Sequence, residues 1–302
     1  MRKTTLALAV LAAACVLASP ASAAISVGAD QTFGSLGYRG TKANASLDVT
    51  DALYVTPTFS TFRTDQSSGS YYQGGLRVGY ETGPFSFGVS GAFVPKNDDY
   101  SQTSEGADLT VSLSPGSSKH GHRMAGPASE SNDTFGYGLA GVDIGGAVNH
   151  ISHRFDFPGS SGTVSKYNLG QTDLTAFVGA KFLITEVSAN VSRSVYDKTL
   201  TGTGGPQAPF LALGDFAAVE SGLPDSSWSG KIKWKTLPFV RPYVAYTHTN
   251  FKLGVPSSNA TEIGGNVGLD MLNVKGAYGH YSQSGVKARD YFTLAASLNF
   301  GG

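Results

Sequence analysis

From about residue 25 onward the chain alternates apolar and polar residues in segment after segment, and after its first 25 positions it never holds 18 apolar residues in a row. Period two is the mark of a β-strand with two unlike faces. The lack of a long apolar run excludes a helical membrane protein. In the stretch 72–81 one face carries Tyr72, Gly74, Leu76, Val78 and Tyr80, and the other Gln73, Gly75, Arg77, Gly79 and Glu81. The next segment sets Phe85, Phe87, Val89, Gly91 and Phe93 against Ser86, Gly88, Ser90 and Ala92. The last sets Phe292, Leu294, Ala296, Leu298 and Phe300 against Thr293, Ala295, Ser297 and Asn299.

Breaks in the alternation predict strands at 25–33, 41–49, 52–62, 71–81, 85–94, 134–144, 146–157, 169–182, 185–196, 227–235, 239–251, 259–270, 273–282 and 290–300. Six tight turns, at 49–51, 81–84, 145–146, 183–184, 236–238 and 271–272, alternate with seven longer connections. The longer ones fall at 34–40, 64–70, 95–133, 158–168, 197–225, 252–258 and 283–289. This order places both chain ends on the tight-turn side. The expectation is an all-β fold, an antiparallel up-and-down transmembrane β-barrel of about 14 strands, filling residues 24–302 as one domain. Most segments have the ~9–11 residues that a tilted strand needs to cross a bilayer.

Residues 1–23 read as a signal peptide. Arg2 and Lys3 supply the positive start, Leu6 to Ala14 the apolar run, and Ala21-Ser22-Ala23 the small-residue cleavage site. Cys15 lacks the large aliphatic residue three places before it that a lipidation site carries. Cleavage after Ala23 removes this single cysteine, and with it disulfides, thiolate metal sites and cysteine nucleophiles. It leaves 20 basic against 22 acidic residues, so charge gives no case for a nucleic-acid partner.

Aromatic placement separates a membrane barrel from a soluble sandwich, which alternates equally well. Trp228 and Trp234 share an apolar face six residues apart, roughly 20 Å along a strand. Tyr72 and Tyr80 bracket small and aliphatic residues in the same way. Aromatics at strand ends fit two interfacial girdles, whereas a soluble core buries them mid-strand. The apolar faces are rich in Gly and Ala, poor filling for a core of this size. The polar faces carry the pore-lining candidates Arg77, Arg154, Asp173, Lys231, Lys233, Lys235, Arg241 and Glu262. Lys231, Lys233, Lys235 and Arg241 fall on adjacent strands and form one basic wall, which implies a mild anion preference; cross-strand salt bridges with no net field are the alternative. Arg193 falls on an apolar face, and a bulge or a shifted register is the expected cause.

The export signal, the alternating connections and the final strand ending Phe292, Leu294, Ala296, Leu298, Phe300 together resemble the Gram-negative outer-membrane β-barrels, in particular porin-like ones. Gly301-Gly302 after Phe300 departs from the family's aromatic terminus. The resemblance implies a bacterial outer-membrane location and contact with outer-membrane lipid. It also implies passive diffusion of small solutes or ions. A closed structural or adhesive barrel and a hydrophobic-compound transporter are the other readings. Enzyme signals are weak and no cofactor is expected. His120 and His122 lie in a polar loop without an adjoining carboxylate, His150 and His153 fall on opposite strand faces, and Thr201–Gly205 lacks the Lys-Ser/Thr pair of a phosphate loop. Residues 95–133, with the alternating Leu109–Leu113, are expected to form an extracellular hairpin or to fold inward as a constriction. The apolar stretch within 197–225 is expected to fold inward and narrow the lumen, with binding of a partner as the alternative.

Overall fold

The computed structural model describes residues 25–65, 69–97, 100–113, 123–129, 140–158, 164–198, 223–234, 239–269 and 271–300. The signal-peptide reading, the His120/His122 pair, the Gly-rich stretch at 201–205 and Lys235 lie outside these residues, as does most of 197–225.

Fourteen antiparallel strands close into one barrel, each paired with its sequence neighbours and β1 with β14. They are β1 (Ile25–Gly34), β2 (Tyr38–Asp48), β3 (Leu53–Arg63), β4 (Tyr71–Thr82), β5 (Phe85–Asn97), β6 (Tyr100–Ser112), β7 (Ala140–Pro158), β8 (Val164–Phe182), β9 (Thr185–Tyr196), β10 (Pro224–Trp234), β11 (Val240–Phe251), β12 (Ser258–Leu269), β13 (Leu272–Gln283) and β14 (Val286–Phe300). Closure runs through the pairing of Ile25 with Phe300 up to Gly34 with Tyr291.

The strand number agrees with the sequence reading, but two strands differ. The expected turn at Gly145-Gly146 does not exist: 140–158 is one continuous strand, and it pairs with β8 along its whole length. The expected loop 95–133 contains a transmembrane strand, β6, joined to β5 by a hairpin in which Asn97 faces Tyr100. The long connection therefore starts at Leu113, on the tight-turn side, and not among the outer loops. Two expected long connections shrink to short ones, 34–40 to 35–37 and 283–289 to 284–285.

The ladder shows how the strands tilt. Directly opposed partners lead from Ile25 through Leu47, Val55, Val78, Val89, Ala107, Val148 and Leu174 to Arg193. The row starts at the tight-turn end of β1 and finishes three residues from the loop end of β9. With strands ~4.8 Å apart and tilted by ~40°, each of its steps climbs roughly 3 Å, so the row rises about 25 Å, the height of a bilayer's apolar band. Every member before Arg193 is aliphatic. Arg193 is exposed on the same outward face, and β9 pairs with both neighbours without a register shift. No bulge explains it; Arg193 sits where the apolar band ends, one turn of the pleat above Trp228, whose partner is Val191. A charge at that depth reaches the headgroups at little cost.

Outward-facing aromatics gather near both ends of the band. Phe33, Phe93, Trp228, Tyr278 and Phe292 lie toward the loop end, and Tyr80, Phe85, Phe182, Phe239 and Phe300 toward the tight-turn end; all are exposed, as are the aliphatics Leu76, Val89, Val148, Leu174, Val191, Ile232 and Ile263 between them. Inward faces have the opposite character: Ser86, Thr110, Asp143, Lys181, Glu186, Lys233, Glu262 and Asn266 are buried. This reversal is what a bilayer solvent demands and what no soluble sandwich shows.

Glycines on the inner wall seat aromatic rings. Tyr54 lies directly opposite Gly79, Phe177 opposite Gly145, Tyr243 opposite Gly264 and Tyr291 opposite Gly34. A Cβ on any of these glycines would fall within 2.1–2.6 Å of an atom already in place, the ring itself in three cases and the Leu109 carbonyl with the Phe177 ring in the fourth. The two glycines that resemble a turn in the sequence thus include one that serves as the bed of Phe177. Gly264→Val should displace Tyr243 and destabilise the barrel by about 1–3 kcal/mol, read as a lower urea midpoint in detergent, while Gly276→Val, where nothing lies within 4 Å, should leave the midpoint unchanged.

Candidate functional site: the barrel lumen

Strand alternation alone sends Arg77, Asp173, Lys231, Lys233, Arg241 and Glu262 inward, because each shares its parity with buried residues on its strand, Gly79 in the case of Arg77. Arg154 is a correction. It has the opposite parity from Asp143 and the buried His153 and is exposed on the outer face of β7, where its Nε donates to Asn168 at 3.4 Å. The false turn at 145–146 hid the continuity that fixes its face. His150 and His153 do point to opposite sides: His150 meets Thr172 outside, and His153 bonds Tyr100 and Gln171 inside.

Two adjoining cavities occupy the lumen. The larger, of about 750 Å³, is walled by β4–β13, and the smaller, of about 420 Å³, by β1–β6 and β12–β14. Gln73, Ser90, Ser104, Pro127 and Lys275 border both. Between them stands the segment Arg123–Ser129. It enters from the tight-turn side and lies along the inner wall of β7 and β8. The Met124 amide donates to the Asp143 carboxylate at 2.7 Å. Gly126, at φ +81°, lets the chain turn beneath the Phe177 ring, and Gly179 leaves the room that Met124 fills. Arg123, 3% exposed, reaches across to Glu81 on β4 at 3.7 Å. Nothing in the sequence marks this segment except the absence of alternation. Inward folding was one of the two outcomes expected for 95–133, but the entry side is the reverse of the one expected.

The charges along the wall are matched. Arg77 pairs with Asp108 at 2.6 Å and with the Tyr54 hydroxyl. Lys233 pairs with Glu186 at 3.4 Å, and Lys275 with Glu262 at 3.7 Å, while the Tyr243 hydroxyl donates to Glu262. Lys231 lies over the Tyr243 ring at 4.5 Å. Asp173 accepts from Gln171 and Ser194. The larger cavity is lined by four cations, Arg123, Lys231, Lys233 and Lys275, and four carboxylates, Asp108, Asp173, Glu186 and Glu262. Of the basic wall read from the sequence, Lys231 and Lys233 line the larger cavity, where carboxylates on β6, β8, β9 and β12 stand against them, while Arg241 is not among its lining residues. Toward the loop end the inner wall turns aromatic: Tyr38, Phe62, Tyr281 and Tyr291 cluster on one side, Tyr100, Phe155, Leu169 and Leu223 on the other. Among the described residues no group of three His, Cys, Asp or Glu side chains could hold a metal.

No family model and no curated protein sequence matches the chain. Solved structures similar to it include CdiB from Acinetobacter baumannii, at 13% identity and a TM-score of 0.48 over 93% of this chain and 60% of that one. A BenF-like porin from Pseudomonas fluorescens Pf-5 is similar at 10% identity and a TM-score of 0.45 over 94% and 100%. The NanC porin is similar at 8% identity and a TM-score of 0.44 over 91% and 100%. The chain thus spans about three fifths of the first of these and the whole length of the other two. The functional reading rests on the barrel's own geometry.

Pairing between neighbouring strands has a measurable consequence. Glu186→Gln leaves the Lys233 ammonium without its carboxylate and should shift the reversal potential in a KCl gradient toward chloride by several millivolts, on the scale of one wall charge; an unchanged potential would mean that ions do not pass this pair.

Proposed function

We propose that this protein is a porin-like channel of a bacterial outer membrane, exported by cleavage of residues 1–23, through which small polar solutes or ions diffuse passively. One observation carries the reading: a closed barrel with an apolar exterior encloses adjoining polar cavities lined by hydroxyls, amides and paired charges. Fourteen strands stand between the roughly eight that pack solid and the sixteen or more that leave a wide aqueous channel. A narrow lumen follows, and Arg123–Ser129 narrows it further from the tight-turn side, which this reading places in the periplasm. Matched wall charges imply that ions of either sign enter, with any anion bias small. No catalytic chemistry is assigned to the wall.

A closed barrel is the second reading, and the same internal segment favours it, since it stands in the lumen with its arginine buried against Glu81. Planar-bilayer recording of the refolded protein separates the two. A steady single-channel conductance, with monosaccharides entering proteoliposomes faster than disaccharides, supports the channel; no conductance above the lipid baseline supports the closed barrel. Arg123→Ala combined with Glu81→Gln releases the segment's long-range tie. It should raise the conductance on the order of twofold, because the narrowest part of a pore dominates its resistance.

A further inference from the structure

Arg39 and Arg63 are directly opposite each other across the β2–β3 ladder. Both are exposed and both face outward, the second residue of one strand and the last of the other. Like charges placed opposite each other on neighbouring strands repel. Among the described residues neither arginine forms an ion pair, a hydrogen bond or a ring contact. The nearest carboxylate along the chain, Asp65, lies against Gly37 in the β1–β2 connection. Gln66, Ser67 and Ser68, which follow it, carry no charge.

Their depth identifies the partner. Phe33 is the neighbour of Arg39 on the other side, and Phe292 is the neighbour of Phe33, so the outward row reads Phe292, Phe33, Arg39, Arg63. Both phenylalanines are exposed members of the loop-side aromatic girdle. The arginines therefore stand just above the apolar band, at the level that Arg193 occupies over Trp228 on the far side of the barrel. That level holds lipid headgroups. Two guanidinium forks a strand spacing apart, standing over the Thr41–Thr61 pair and beside the exposed Phe33 and Phe292, suit an anion whose acyl chains lie against those rings. Guanidinium binds phosphate through paired, charge-assisted hydrogen bonds, which also relieve the mutual repulsion.

We infer that Arg39 and Arg63 form a binding site for the phosphate group of an outer-leaflet lipid. The inference rests on the membrane orientation proposed above but not on the barrel conducting. The partner is a phosphorylated glycolipid or phospholipid, held by its headgroup between the two arginines and by its chains on Phe33 and Phe292. The site lies outside the lumen and uses none of its residues.

The test is binding of the refolded full chain, in neutral detergent, to a diphosphorylated acyl glycolipid and to the same lipid with its phosphates removed. Native mass spectrometry gives the occupancy of each. The phosphorylated form should bind at least tenfold more tightly. Arg39→Gln with Arg63→Gln should abolish that preference while the heat-modifiable barrel band and the conductance stay as in the parent protein. A charge-restoring Arg39→Lys, Arg63→Lys variant should recover only part of it, because ammonium lacks the planar fork. Equal binding of the two lipids by the parent, or a preference that survives the double glutamine variant, overturns the inference. So does full displacement of the lipid by millimolar inorganic phosphate. A protein that binds the lipid but does not conduct would contradict the channel and leave this site standing.

Discussion

Everything in this molecule depends on closing the backbone hydrogen-bond ladder between β1 and β14. In hydrocarbon no water can satisfy an open strand edge, and each unpaired amide or carbonyl costs several kcal/mol. The ten pairs from Ile25–Phe300 to Gly34–Tyr291 remove both edges together. Closure then sets the rest. It forces the strands to tilt, the tilt carries the ladder row from Ile25 to Arg193 across the whole apolar band, and strand number sets the width of the lumen. Two faces follow, one solvated by lipid and one able to hold Asp143, Lys233 and Glu186 at almost no exposure.

The interior is more furnished than alternation alone implies. Rings of Tyr54, Tyr243 and Tyr291 lie over glycines on the neighbouring strand, so the glycine content reflects close packing on the inner wall rather than loose chain. Cations and carboxylates pair across strands, which makes buried charge tolerable and cancels most of the field that the basic wall would otherwise project. The segment Arg123–Ser129 adds a second layer, held by one backbone-to-carboxylate hydrogen bond and one long ion pair. Packing adds to these, since Met124 and Ala125 are buried against Gly179 and Gly126 lies beneath Phe177.

Legibility in the sequence followed the strength of face contrast. Strands β3, β4, β5, β9 and β14 were read to within a few residues because most of their outward positions between the ends are aliphatic or aromatic. Strand β6 was missed because the upper half of its outward face is Ser101, Thr103, Glu105 and Ala107, no more apolar than its inward Gln102, Ser104 and Gly106. The same ambiguity, with two adjacent glycines, split β7 in two and misplaced Arg154. The total of fourteen survived because one missed strand offset one false division.

The sequence by itself determined the solvent of each face: period-two alternation, aromatics near strand ends and no long apolar run left few architectures other than a membrane barrel. It also placed Arg77, Asp173, Lys231, Lys233, Arg241 and Glu262 on inward faces, since parity within a strand is a local property. Only the tertiary structure decided which charges meet, because Arg77 with Asp108 and Lys233 with Glu186 join residues on different strands through register. It alone decided that the connection after Leu113 re-enters the lumen, because the partners that hold Arg123, Met124 and Gly126 there, Glu81, Asp143 and Phe177, come from other strands. And it alone brought Arg39 beside Arg63, because the ladder register of two strands, not their spacing along the chain, fixes which outward charges share one patch of the membrane boundary.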